Sequence, residues 1–191
     1  MAANTPSTYG VPGMSDGDSA KVAGLLQDRL DALNDLHLTL KHVHWNVVGP
    51  HFIAVHEMLD PQVEAVREFA DQVAERMATL GGSAQGTPGG LVKRRSWDDY
   101  SIGRAGAIEH LGALDLVYAG VIAAHRALID EVEELDPVTQ DMLISQSSQL
   151  EQYHWFVRAH LENSGGQLST AGATSEKEAA SQAEAGAGET A

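Results

Sequence analysis

Four long stretches with apolar residues at helical spacing, joined by two short links and one long one, constrain this chain most strongly. The first runs from about Ser19 to Asn46, with Val22, Leu26, Leu30, Leu33, Leu40 and Val43 as its stripe, and Gly49-Pro50 stops it. The second runs from about Phe52 to Leu80, with Val55, Leu59, Val66, Phe69, Val73 and Met77, and ends at Gly81-Gly82. The third, from about Arg104 to Leu135, carries Leu111, Leu114, Tyr118, Val121, Ile122, Leu128, Ile129 and Val132. The fourth, Pro137 to Asn163, has Asp136 where an N-cap belongs and Pro137 at the first helical position, and Gly165-Gly166 closes it. Short links make the first and second stretches, and the third and fourth, antiparallel neighbours. The link over roughly 81–103 must carry the chain the length of the bundle. The expected fold is all-α, a four-helix bundle with one long crossover. Within the crossover, Ser96-Trp97-Asp98-Asp99-Tyr100 reads as a short helix with a Ser cap. No strand signal and no internal repeat is evident. Pro61 falls inside the second helix, where it removes a backbone hydrogen bond and should kink the axis.

The flanks read differently. Residues 1–16, with Pro6, Gly10, Pro12 and Gly13, are expected to form a flexible arm, leaving 17–164 as the bundle. Residues 165–191 are mostly Gly, Ala, Ser, Thr and Glu and are expected to be a disordered acidic tail. No run of 18 apolar residues is present, so no spanning helix is expected, and the first twenty residues lack the basic and apolar regions of a secretory signal. The chain has no cysteine, which excludes disulfides and thiolate metal sites and fits a cytoplasmic setting. Any metal site must therefore use His and carboxylates, a donor set that suits iron, zinc or manganese.

The second helix holds such donors. With Val66 set at zero on a helical wheel, Leu59, Val73, Met77 and Val55 fall within about 20° and form the core stripe. His56 then lies near ~80°, Asp60 near ~120°, Asp71 near ~140° and Glu75 near ~180°, on the flank and back of the helix. Asp60 and Asp71 are separated by roughly 16 Å along the axis, too far to share one metal ion. Two copies of the helix packed antiparallel across a two-fold axis would bring the 56/60 end of one against the 71/75 end of the other. By spacing alone the acids could equally be a solvated face. His37 and His44 lie on the apolar stripe of the first helix, where an ordinary core histidine is the plainer reading. For His44, spacing does not decide. A rival metal site inside the bundle needs two facing Glu-x-x-His motifs. Only Glu151-Gln152-Tyr153-His154 is present, and the in-bundle site is rejected.

The segments HVHWNVVGPHFIAVHEMLD and ADQVAERMATLGG, with DPVTQDML and WFVRAHLE further on, resemble the Dps family (DNA protection during starvation proteins, or miniferritins) over roughly residues 20–163. The motif is specific: His-Trp-Asn near the end of helix one, then His-x-x-x-Asp, then Asp-x-x-x-Glu. The resemblance implies a ferritin-like bundle assembled as a hollow dodecamer. It implies oxidation of Fe(II), mainly by hydrogen peroxide, with Fe(III) stored as mineral, in a stress response of the cytoplasm or of the nucleoid within it. It also implies that His44, His56, Asp60, Asp71 and Glu75 hold iron across a two-fold interface, and it raises His44 from undecided to ligand. Trp45 would stand near the site as an electron donor or as a packed interface aromatic, whereas Trp155 is expected only to pack. Asp136 and Asp141 match the acidic three-fold pore region near the start of helix four, although Asp136 also reads as an N-cap and Asp141 as a surface acid. Glu57 is a guess at a nucleation residue.

One departure from the family stands out. Many members bind DNA through basic tails, but residues 1–20 here contain no Lys or Arg, and residues 165–191 contain only Lys177 against four glutamates. The formal charge is −15, so twelve chains would carry roughly −180. Counterion release needs clustered cations on the protein, so DNA binding is expected to be weak or absent.

Overall fold

The computed structural model describes residues 10–188. Of the expected N-terminal arm, residues 1–9 lie outside the described residues. The rest is more ordered than expected, because Val11 and Met14 rest against the core. The side chain of Ser15 accepts a hydrogen bond from the Asp18 amide and starts α1, Asp16–Asn46, three residues before the expected start. A turn through Gly49, at φ +95°, leads into α2, Phe52–Thr79, which contains Pro61. Gly81 closes α2 with φ +81°: its amide meets the Ala78 carbonyl and that of Gly82 the Met77 carbonyl, a Schellman ending.

The crossover differs from expectation. Its helix, α3, spans Pro88–Arg94, and 96–100 is not helical. Pro88 at the first helical position outweighs Ser96 as a start signal. The 95–99 segment is instead drawn onto α1. Arg95 reaches Asp35 and Asp99, and Trp97 Nε1 donates to Asp35 at 2.8 Å. Arg94 forks onto the buried Asp31 at 2.6 and 2.7 Å. A short parallel pairing, β1 (Val47–Val48) with β2 (Ala105–Gly106), ties the end of the crossover to the α1–α2 turn. At two residues each, these strands are too short to leave a sequence signal.

The second hairpin is α4, Ala107–Val132, and α5, Pro137–Ala159. By length and composition α4 could cross a membrane. Here its apolar length serves packing, with α1, α5 and a sixth helix against it. The core runs the length of the bundle through Leu26, Leu33, Leu40, Leu59, Val66, Leu111, Leu114, Tyr118, Leu143 and Leu150, all fully buried.

The expected disordered tail is the main correction over residues 165–188, and 189–191 lie outside the described residues. A reversal at Gly166 (φ +78°) folds the chain back, and α6, Glu176–Gly188, packs along α4. Gly112 makes this possible, because a Cβ there would lie 2.6 Å from the Ala179 carbonyl oxygen and 2.8 Å from the Ala183 Cβ. Ala179, Ala180 and Ala183 fill that shallow seat. Asp115 pins the segment leading to α6, accepting from Thr170 Oγ1 at 2.7 Å, and Glu176 accepts from the amide and hydroxyl of Ser101.

Candidate metal centre

The end of α1 and the start of α2 bring three of the expected donors together. The rings of His44 and His56 stack with centroids 3.6 Å apart. Each Nδ1 meets the other residue's backbone carbonyl, at 3.0 Å for His44 and 2.9 Å for His56. Carbonyl oxygens only accept, so both Nδ1 atoms carry a proton, and each neutral ring keeps its Nε2 lone pair for a metal. This is the orientation that outer hydrogen bonds impose on ligating histidines. His44 is 8% exposed and His56 half-buried.

Asp60 is exposed, with its Oδ1 3.3 Å from His44 Nδ1 and 3.0 Å from Lys41 Nζ. The Lys41 hydrogen bond, with the charge of the same ammonium, holds the Asp60 carboxyl below its usual range. Lys41 had no role in the sequence reading; it lies one helical turn before His44 on α1 and is the counter-ion of Asp60. Asp71 and Glu75 are exposed further along α2. Among the described residues, no group of three or more His, Asp or Glu side chains within one chain is placed to hold a metal. The donors therefore form two separate part-sites, with His44, His56 and Asp60 at one and Asp71 and Glu75 at the other.

The other candidates fall elsewhere. Trp45, beside His44, is 71% exposed. Trp155, expected only to pack, is 61% exposed, with its ring tilted against Phe156. Asp136 is 2% exposed, caps α5 through the Val138 amide, and pairs with Arg76 at 2.6 Å while accepting from Thr139. That commitment makes it a structural cap within this chain. Asp141 remains an exposed acid on α5, and Glu57 is exposed on α2. His37 is half-buried rather than in the core; burial lowers its pKa, and the charges of Arg67 and Lys41 act in the same sense. The lone Glu-x-x-His is occupied by other partners, since Glu151 accepts from Arg126 and His154 Nε2 lies 2.6 Å from Asp115. A groove of about 700 Å³ between α1, the crossover, α4 and the start of α6 contains none of the expected ligands.

This bundle, with its single long crossover and its His and carboxylate donors, is ferritin-like in class. The family pattern described as a ferritin-like domain matches residues 23–164. The chain is 59% identical to the DNA protection during starvation protein of Mycolicibacterium smegmatis over 93% of this chain and 97% of that protein. It is 51% identical to the fine tangled pili major subunit of Haemophilus ducreyi over 83% of this chain and 84% of that protein. Among solved structures, Mycobacterium smegmatis Dps superposes with a TM-score of 0.86 at 59% identity, covering 88% of this chain and 96% of that one. DpsA14 from Streptomyces coelicolor superposes with a TM-score of 0.84 at 64% identity, covering 87% and 99%. The chain belongs to the Dps family of ferritin-like proteins. With that family go iron storage and protection against oxidative damage in general terms.

Proposed function

We propose that this protein is a ferroxidase and iron store of the cytoplasm, assembled as a dodecamer, that oxidises Fe(II) mainly with hydrogen peroxide at sites shared between two subunits. The observation that carries the reading is the separation of the donors into two part-sites, one where α1 meets α2 and one further along α2, with no group of three or more among the described residues placed to hold a metal within one chain. His44, His56 and Asp60 of one subunit would face Asp71 and Glu75 of its mate across a two-fold axis, so each dimer would hold two equivalent sites. Imidazole and carboxylate bind Fe(II) and tolerate Fe(III), and a mostly carboxylate site lets the ferric product move on to mineral.

The chemistry balances without radical release. Two Fe(II) ions each give up one electron, the O–O bond of one peroxide breaks, and two hydroxides form. Asp60 exchanges Lys41 for the arriving cation. The Nδ1 hydrogen bonds of His44 and His56 hold both rings in the tautomer that binds. Protection is chemical in this reading, with DNA binding weak or absent. Six of the twelve basic residues, Lys41, Arg76, Arg94, Arg95, Arg126 and Arg158, are each engaged with an acid of the same chain, and the net charge of −15 opposes phosphate.

Anaerobic Fe(II) titration followed by peroxide addition tests the reading, with assembly size followed by light scattering. Saturable binding, then fast formation of a soluble ferric core in a twelve-subunit particle, is the expected result. Iron that fails to bind, or that oxidises no faster than in buffer, would overturn it. Retardation of duplex DNA in chelator at moderate salt would refute the DNA part alone.

A further inference from the structure

The groove of about 700 Å³ between α1 and α4 has an apolar floor and one unsatisfied charge. Ala32 and Leu36 of α1 and Val117 and Val121 of α4 line it, and Trp97, held by its bond to Asp35, forms part of its wall. Arg29 lines it too; the residue is half-buried, and its Nη1 is buried without a hydrogen-bond partner. Burial lowers the Arg29 pKa, opposed by the charge of Asp28. A guanidinium keeps its proton even so, and a buried donor on a fixed charge is costly unless an acceptor meets it. Two carboxylates elsewhere on the wall are already engaged. Asp35 accepts from Trp97 and pairs with Arg95, and Glu176 accepts from the Ser101 amide and hydroxyl. Gly120 is an independent sign. It lines the groove in the middle of α4, where glycine is unfavourable relative to alanine. A Cβ there would meet nothing within 4 Å, so packing within the chain does not call for glycine. The missing side chain keeps the groove open.

We infer that this groove binds a free carboxylate on a medium-length alkyl chain, with the carboxylate on the Arg29 guanidinium and the chain laid past Gly120 along the Ala, Leu and Val floor. The lining runs along α1 from Arg29 to Thr39, roughly 15 Å of helix axis. That length, floored by aliphatic side chains, suits an extended chain better than a compact ring. A guanidinium and a carboxylate match in charge and in fork geometry, so the head sets the specificity, and burial of the chain supplies the affinity. The ligand would complete the one donor that the fold leaves unmet. The groove holds none of the iron ligands, so this inference stands apart from the ferroxidase reading.

Calorimetric titration of the whole protein with octanoate, octanol and acetate tests the inference. Octanoate should bind saturably and at least about tenfold more tightly than octanol, and acetate should not saturate. Arg29→Gln should remove the advantage of octanoate over octanol, whereas Lys177→Gln, at a second cation on the groove wall, should keep it. Gly120→Leu should fill the groove and abolish binding of both probes, with the unfolding temperature not lowered and iron oxidation unchanged. Octanoate that binds no more tightly than octanol, binding that survives Gly120→Leu, or no saturable binding of octanoate would overturn the inference. So would a change in assembly size on Gly120→Leu, which would make the groove a contact between copies of the chain.

Discussion

Asp60 and Asp136 are each held by a cation from another helix, yet they differ in everything around that pair. Asp136 is buried, and its oxygens accept from Arg76, Thr139 and the Val138 amide. Asp60 is exposed, holds Lys41 alone among cations that never titrate in the physiological range, and sits beside two histidines with free Nε2 lone pairs. A saturated, buried carboxylate stabilises the fold, and removing its partner is costly. An exposed carboxylate with spare acceptor capacity adds little stability and stays open to a ligand. The same side chain therefore does structural work at one end of the bundle and is available for chemistry at the other.

The sharpest break between the two classes comes from the ligands. Asp60→Asn, Asp71→Asn and Glu75→Gln should each abolish saturable Fe(II) binding and peroxide-driven oxidation while changing unfolding stability by no more than about 0.5 kcal/mol. Mixed assemblies go further. In a dimer of one Asp60→Asn and one Asp71→Asn subunit, one site carries both changes and the other is intact. Random mixing should then restore about a quarter of wild-type sites if the site is shared between subunits, and none if each site lies within one chain.

Arg76→Ala should do the reverse. It strands the Asp136 carboxylate in the interior and should cost about 3–5 kcal/mol in denaturant unfolding, leaving the iron ligands of folded molecules untouched. If stability barely moves, the contrast between saturated and open acids fails.

His125 lies between these extremes, buried like Asp136 but only half-satisfied. Its Nε2 is 3.4 Å from Gln146 Oε1, and its Nδ1 has no partner. Burial, with the charge of Arg29 nearby, lowers its pKa to about 4. Between the ordinary histidine value of about 6.5 and that point, the unfolded chain takes up a proton that the folded chain refuses. Its contribution to stability is therefore whole above that window and falls as pH drops through it, by up to about 3 kcal/mol. The difference between wild-type and His125→Gln melts at pH 7 and pH 4.5 isolates the effect, with the variant showing the flatter pH dependence.

The same contrast separates what the sequence disclosed from what it did not. The four bundle helices were legible because Leu, Val and Ile repeat along them at helical spacing. The split of His56 and Asp60 from Asp71 and Glu75 was legible because helix geometry alone sets axial distance. The burial of Asp136 was not, since it depends on Arg76 arriving from α2, sixty residues away. The crossover helix was misplaced because the Ser96 cap was weighed without the pull of Asp35 on Arg95 and Trp97. α6 was missed because its core side chains are alanines in a low-complexity stretch, a weak hydrophobic signal. One local cue was present: Ser175 and Glu178 have capping-box spacing, and in the structure the Glu178 amide donates to Ser175 Oγ while its carboxylate accepts from the Thr174 amide.

The smallest expected effect tests that missed helix. Gly112→Ala places a methyl group where the Ala179 carbonyl and the Ala183 Cβ already stand, at 2.6 and 2.8 Å. Both neighbours belong to α6, and α4 is locked into the bundle on its other sides, so the strain should be relieved by α6 lifting away. An overpacking cost of about 1–3 kcal/mol exceeds what an alanine-lined seat can hold, whereas the bundle beneath keeps its Leu and Val core. Limited proteolysis should then cut early between Gly166 and Glu176 in the variant, with the bundle's own unfolding transition almost unmoved. Acid should do the same to the wild type through Asp115. Burial alone would raise its pKa, but its hydrogen bonds to His154 and Thr170 together hold it below the usual carboxylate range, so its hold on the tail is full above about pH 4 and is lost as pH falls through that lowered value. If Gly112→Ala instead lowers the stability of the whole bundle, α6 is an integral part of the core, and the boundary between a self-sufficient bundle and an added cap does not exist.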